Sequence, residues 1–269
     1  MLSYQLIGNH QKAEHLIFIH GAGGSSAIWY KQVKELSAFY NLLLIDLRGH
    51  GKSAASLKEK LKKYSFQSIS EDIIEVLDYL KIKKGHFIGI SLGTILIREI
   101  AEKHHHRVQS MVLAGAIMKI NLKGRVLIKL GNACKTFIPY MLLYKLFAHV
   151  IMPKKTHKQS RNLFIQEAKK LYQKEFIKWF QLTSQLKPIL KLFRTTHNAV
   201  PTIYIMGEQD HMFLPSIQKL VSSSPHGQLA IIKNSGHVVN IDQPKEFNSV
   251  VIKFLGYQVK SQTIGNLFC

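Results

Sequence analysis

Residues 86–93 read His86-Phe87-Ile88-Gly89-Ile90-Ser91-Leu92-Gly93 and hold the pattern G-x-S-x-G from Gly89 to Gly93. Phe87, Ile88 and Ile90 form an apolar run of strand type, Thr94 to Lys103 has helical character, and Ser91 stands where the two meet. So sharp a turn from strand to helix tolerates only small neighbours, and the two glycines supply them. It lifts the serine hydroxyl clear of the sheet, beside the positive end of the following helix. The stretch predicts a nucleophile elbow.

Working outward, the flanking sequence alternates between strand and helix. Leu2 to Ile7 reads as a short edge strand, and Leu16-Ile17-Phe18-Ile19 as a fuller one, β-branched and aromatic. The latter runs into His20-Gly21-Ala22-Gly23-Gly24-Ser25-Ser26, a glycine-rich loop able to bring backbone N–H groups close to whatever sits at the sheet's edge. A helix over Tyr30 to Phe39 follows, then strand Leu42 to Ile45, which ends in Asp46-Leu47-Arg48-Gly49-His50-Gly51-Lys52-Ser53. Charged residues packed between glycines suggest a tight, hydrogen-bonded loop with a structural role. Ser68-Ile69-Ser70-Glu71 has the form of a capping box opening a helix, with Ile73, Ile74, Leu77 and Leu80 at helical spacing. Strand Met111 to Ala114 comes after the elbow helix. This rhythm predicts an α/β fold, a parallel sheet with helices on both faces.

Residue 119 breaks the rhythm. Phe137 to Met152 is apolar apart from Tyr140, Tyr144, Lys145 and His149, and falls short of the roughly 20 apolar residues that cross a bilayer. Asn162 to Thr183 reads as one amphipathic helix with Phe164, Ala168, Tyr172, Phe176 and Trp179 on one face and Lys170, Lys174 and Lys178 on another. Strand Thr202 to Met206 restores the alternation, followed by Gly207-Glu208-Gln209-Asp210, a helix over 216–222, strand Leu229 to Ile232 and Asn234-Ser235-Gly236-His237. A last helix runs from Pro244 to Leu255, and the final dozen residues look like a frayed tail. Residues 1–118 and 201–269 are thus read as the α/β core and 119–200 as an inserted helical cap.

The chain of 269 residues is 46% hydrophobic and 20% charged, an ordinary globular composition with enough length for a sizeable core. Two cysteines, Cys134 and Cys269, make a disulfide framework unlikely to be the source of stability and suit a reducing compartment. The first residues lack the basic segment and continuous apolar run of a signal peptide, so the chain reads as cytoplasmic. Three consecutive histidines, His104 to His106, point in different directions at a helix end, and no second cluster completes a metal set. The net charge is +21, and residues 119–198 hold 17 Lys and Arg against 2 Asp and Glu, a net of +15. Three readings follow from a greasy, basic cap: peripheral contact with an anionic membrane, attraction of anionic substrates, or lysines merely solvated behind a packed apolar face. No basic and aromatic platform points to nucleic acid.

Ser91, Asp210 and His237 each follow a strand, and in an open parallel sheet such loops gather at the carboxyl edge, where ligands bind. Serine needs a base to take its proton, and that base needs a carboxylate on its other ring nitrogen. Asp242 is a second candidate for the acid. The backbone N–H groups of Ala22 and Leu92 suit an oxyanion hole, each donor worth about 10²–10³ in rate.

These stretches together resemble the α/β-hydrolase superfamily, in its small bacterial esterase type with a helical lid. The resemblance rests on His20 to Gly24, Asp46 to Ser53, Gly89 to Gly93, Gly207 to Asp210 and Gly236-His237. It implies Ser91 as nucleophile, Asp210 as acid, His237 as base, Ala22 and Leu92 as oxyanion donors, and no cofactor. A serine at the elbow separates the chain from similar dehalogenases and epoxide hydrolases, which use aspartate there. The N-terminus offers one strand before the glycine-rich loop where many relatives have two, as though the first strand were missing. His211 stands beside Asp210 as a competitor for its carboxylate. The expected activity is cleavage of small-molecule carboxylic esters with apolar acyl groups through an acyl-enzyme. Fold and triad do not fix the substrate, so thioester or C–C bond hydrolysis and a ligand-sensing role with little turnover remain alternatives.

Overall fold

The computed structural model describes residues 1–8, 10, 13–53, 64–134, 137–195, 199–222 and 227–265, with the backbone alone for 134 and 257–265. Seven strands form one sheet in the order β1-β3-β2-β4-β5-β6-β7. They are β1 Tyr4–Ile7, β2 His15–Ile19, β3 Asn41–Ile45, β4 Gly85–Ile90, β5 Val108–Ala114, β6 Thr202–Gly207 and β7 Gly227–Ile232. Only β1 runs antiparallel, against β3, and every other pairing is parallel. Two strands, not one, therefore precede the glycine-rich loop. Leu6 on β1 is exposed, and this edge position is why the stretch is short and only weakly apolar.

The central strands are apolar without a break because both sheet faces are covered. Successive residues serve opposite faces: Ile17 and Ile19 join one core cluster, Leu16 and Phe18 the other. The first face receives α2 (Phe66–Tyr79) and α3 (Leu92–Lys103); the second receives α1 (Tyr30–Leu36) and the late helices. Helix α2 begins earlier than the Ser68 pattern implies. Ser65 is its cap, and the Ser65 hydroxyl and Ser68 N–H pair while Ser68 Oγ accepts from Ser65 N–H. Ser68, the third residue of the helix, thus closes the box, a role usually filled by Glu or Gln.

Between β5 and β6 lie α4 (Leu122–Cys134), α5 (Tyr140–Ile151), α6 (Lys158–Ala168), α7 (Gln173–Gln181) and α8 (Leu186–Thr195). The single helix expected over 162–183 is two, α6 and α7, and Tyr172 between them is exposed rather than on the buried face. The turn is held by the Tyr140 hydroxyl, which donates to the Leu171 carbonyl at 2.5 Å, and Leu171 itself is buried. Helix α8 packs Leu186, Leu190 and Phe193 into the first core cluster, and Arg98 of α3 donates to the Phe193 carbonyl. It serves as the crossover that returns the chain to the start of β6.

Helix α9 (Leu214–Val221), the short α10 (Val239–Asp242) and α11 (Pro244–Gly265) complete the chain. Helix α11 continues ten residues past Leu255 into the expected tail, since nothing after Pro244 breaks it and a single mid-helix glycine, Gly256, costs only about 1 kcal/mol. Residues 266–269, Cys269 included, lie outside the described residues. No described helix is long and apolar enough to cross a membrane.

Candidate active site

Ser91 sits between β4 and α3 with φ 54° and ψ −121°, in the left-handed half of backbone space that a side chain ordinarily avoids. The surroundings hold it there. Its N–H donates to the Ala114 carbonyl of β5, and its own carbonyl accepts from both the N–H and the hydroxyl of Thr94. The flanking glycines are required by contact: a Cβ on Gly89 would stand 2.5 Å from Ile97 Cδ1, and one on Gly93 would press into the Ile19 and His20 carbonyls. Such conformations persist only where the rest of the fold over-determines them.

Ser91 Oγ lies 2.9 Å from His237 Nε2, and His237 Nδ1 lies 2.8 Å from Asp210 Oδ2. A carboxylate accepts, so Nδ1 carries the ring proton and donates it to Asp210, which leaves Nε2 free to accept from the serine hydroxyl. Asp210 is fully buried and His237 nearly so. The second oxygen of Asp210 accepts from the Phe213 N–H at 3.2 Å, and the Phe213 ring lies 5.0 Å from the imidazole. His211 is exposed, and its backbone N–H donates to Gln209. Asp242, the other acid considered, accepts from the Gly236 N–H and so shapes the turn before His237 without reaching its ring.

Ala22 and Leu92 both border the cavity above Ser91, and among the described residues neither N–H has a partner. Two buried histidines set the loop that carries Ala22. His50 accepts the Gly23 N–H on Nε2 and donates Nδ1–H to the Arg48 carbonyl, both at 2.9 Å. His20 accepts from Leu47 N–H and donates to the Gly21 carbonyl. Burial holds both rings neutral: it pushes His50 down to about 3, with the neighbouring His20 adding to the effect, and it lowers His20 as well. Asp46 ties the two loops together, accepting from Ser26 N–H and Lys52 N–H. The structural role expected for residues 46–53 is thus to brace the glycine-rich loop.

The helical segment reaches the same loops with side chains that local pattern alone did not single out. Tyr144 of α5 donates its hydroxyl to the Ala22 carbonyl, and burial raises its pKa well above the phenol range, so it stays a donor. Glu167 accepts from Ser25, Glu175 from Tyr64, and Trp179 Nε1 donates to the Arg48 carbonyl. His157 Nε2 pairs with Gln209, the residue before Asp210. The one local signal for the two glutamates is that they are the only acids among 17 cations in 119–198.

Above Ser91 lies a cavity of about 160 Å³. Leu127, Ile128, Phe147, Leu171, Phe176 and Phe180 of the helical segment face Ile117, Met212 and Phe213 of the core across it, with Ile120 at the join. Among the described residues no Lys, Arg, Asp or Glu lines it, and its polar side chains are Ser91, Tyr144, Thr183 and His237. No group of His, Cys, Asp and Glu among the described residues has the arrangement of a metal site.

A family profile described as the alpha/beta hydrolase fold matches residues 14–129. The chain has the α/β-hydrolase fold. It superposes on solved structures of hydrolases, among them a carboxylesterase of the thaumarchaeon Nitrososphaera gargenis, with a TM-score of 0.78 at 21% identity over 97% of this chain and 96% of that one. In sequence, the chain is 28% identical to a putative carbamate hydrolase RutD of Stutzerimonas stutzeri (strain A1501) over 96% of its length and 97% of the relative's. It is 27% identical to a putative 2-succinyl-6-hydroxy-2,4-cyclohexadiene-1-carboxylate synthase of Bacillus subtilis (strain 168), over 90% of each chain. These relatives differ in the molecules for which they are named.

Proposed function

We propose that this α/β-hydrolase is a serine esterase for uncharged carboxylic esters with apolar acyl groups, using Ser91, His237 and Asp210. The hydrogen-bonded line from Ser91 Oγ through His237 to Asp210, opening on a cavity without a charged side chain, carries the reading. His237 takes the serine proton as Oγ attacks the ester carbonyl, and Asp210 stabilises the imidazolium that results. The oxyanion forms between the N–H groups of Ala22 and Leu92. His237 then protonates the departing alcohol, and in the second half it takes a proton from the water that releases the acid from Ser91. Residues 119–200 act as the lid that shapes the acyl site, with α8 also covering the sheet.

The cavity's chemistry supports this substrate class over the carboxylate-bearing one in the Bacillus relative's name. A carboxylate-bearing molecule, such as that named for the Bacillus relative, needs a cation where the lining here offers none. Thioesters and activated C–C bonds fit the same residues and differ only in the leaving group.

The test is intact mass after exposure to a fluorophosphonate, for the native chain and for Ser91→Ala and His237→Ala. One adduct on the native chain and none on either variant is expected. A native chain that takes up no adduct overturns the reading.

A further inference from the structure

The helical segment turns its acid inward and its cations outward. Glu167 and Glu175, its only carboxylates between 119 and 198, are both buried. Glu167 is occupied by Ser25 and Lys170, Glu175 by Tyr64 and Lys178. The solvent face of a segment with net charge +15 therefore presents positive charge with no acid among it.

Apolar side chains stand out on the same face. Leu122, Val126 and Leu130 recur every four residues along α4 and are 68%, 57% and 47% exposed. That spacing makes one stripe, with Arg125 and Lys129 along one flank and Lys123 along the other. The opposite side of the helix carries Gly124, Leu127 and Ile128 to the cavity. Phe137, next in line, is 88% exposed, and Leu142 and Leu146 repeat the spacing on α5 beside Lys145. Among the described residues, eight of the fourteen large apolar side chains most open to solvent fall in this segment.

We infer that the outer face of α4 and α5 docks onto an anionic phospholipid bilayer. An interfacial helix has this build, apolar residues at the acyl boundary and lysines at the level of the phosphates. Protein interfaces exclude lysine from their cores, so a leucine stripe edged with cations suits lipid better than a protein partner. Docking would bring the roof of the cavity against the hydrocarbon. The inference stands apart from the chemistry of Ser91.

The experiment is co-sedimentation of the full chain with vesicles of phosphatidylcholine alone or with about 30% phosphatidylglycerol, at low and high salt. Binding to the anionic vesicles, little to the neutral ones, and release by salt are expected. The variant Val126→Glu/Leu130→Glu lowers partition more than about tenfold, and Lys123→Gln/Arg125→Gln/Lys129→Gln on the order of a hundredfold. Both keep the native melting temperature, since these side chains are exposed. Equal binding to both vesicles, or partition unchanged in both variants, overturns the inference. So does a lipid-free dimer at micromolar concentration that Val126→Glu/Leu130→Glu dissociates, which would make a second copy the occupant.

Discussion

The Tyr144 hydroxyl donates to the Ala22 carbonyl at 2.5 Å, so a helix of the segment between β5 and β6 holds the peptide that precedes Gly23 in the glycine-rich loop. The fit is close enough that a Cβ on Gly23 would overlap the phenol oxygen. Position in the loop thus depends on a side chain 122 residues away.

Tyr144→Phe keeps the ring and removes that bond. The expected result is a fall in kcat of about tenfold with KM nearly unchanged, less than the 10²–10³ lost with an oxyanion donor because the donor remains but is less well aimed. Stability falls by about 1 kcal/mol. Steady-state kinetics on a nitrophenyl ester, with a denaturant titration, separates the two effects.

Asp210→Asn leaves the shape of the site and reverses the tautomer of His237, which then offers a proton to Ser91 instead of accepting one. Ester hydrolysis near neutral pH drops by about 10³–10⁴ while the thermal midpoint stays close to native. Loss of activity with equal loss of fold would show Asp210 to be structural.

Acyl length gives a third expectation. Each methylene that enters the cavity raises kcat/KM by about fourfold, until the 160 Å³ are filled and the trend turns over. A carboxylate at the chain end removes activity. A series of nitrophenyl esters of increasing length measures both, and a flat series would mean the acyl group does not enter this space.

The buried histidines make stability depend on pH in a defined window. His50 titrates near 3 in the folded chain and near 6.5 unfolded, so the unfolded state binds the extra proton between these values and stability rises with pH across them, then levels off. The slope from His50 approaches about 1.4 kcal/mol per pH unit, and His20, shifted the same way, adds to it. Urea titrations from pH 4 to 8 should show this rise, and His50→Gln should flatten it.

Much of the fold could be read locally because the central strands are buried on both faces and so form unbroken apolar runs. Ser91, Asp210 and His237 stood out for a related reason: each follows such a run, beside glycines that the turns require. What escaped was either masked or distant. Tyr172 keeps the helical period across the turn between α6 and α7 while facing solvent, so periodicity alone joined the two helices. Ser65 was passed over because Ser68 and Glu71 make a competing cap pattern. Tyr144 with Ala22, and Glu175 with Tyr64, are contacts more than 100 residues apart in the chain, which no local spacing encodes.

Four bonds from the helical segment, those of Tyr144, Glu167, Trp179 and His157, end on the loops that carry Ala22, Ser25, Arg48 and Gln209. Under the proposed function, access and readiness become one variable: helices that lifted to admit an ester would loosen the loop proposed to receive the oxyanion, and would restore its brace only on settling over the acyl group.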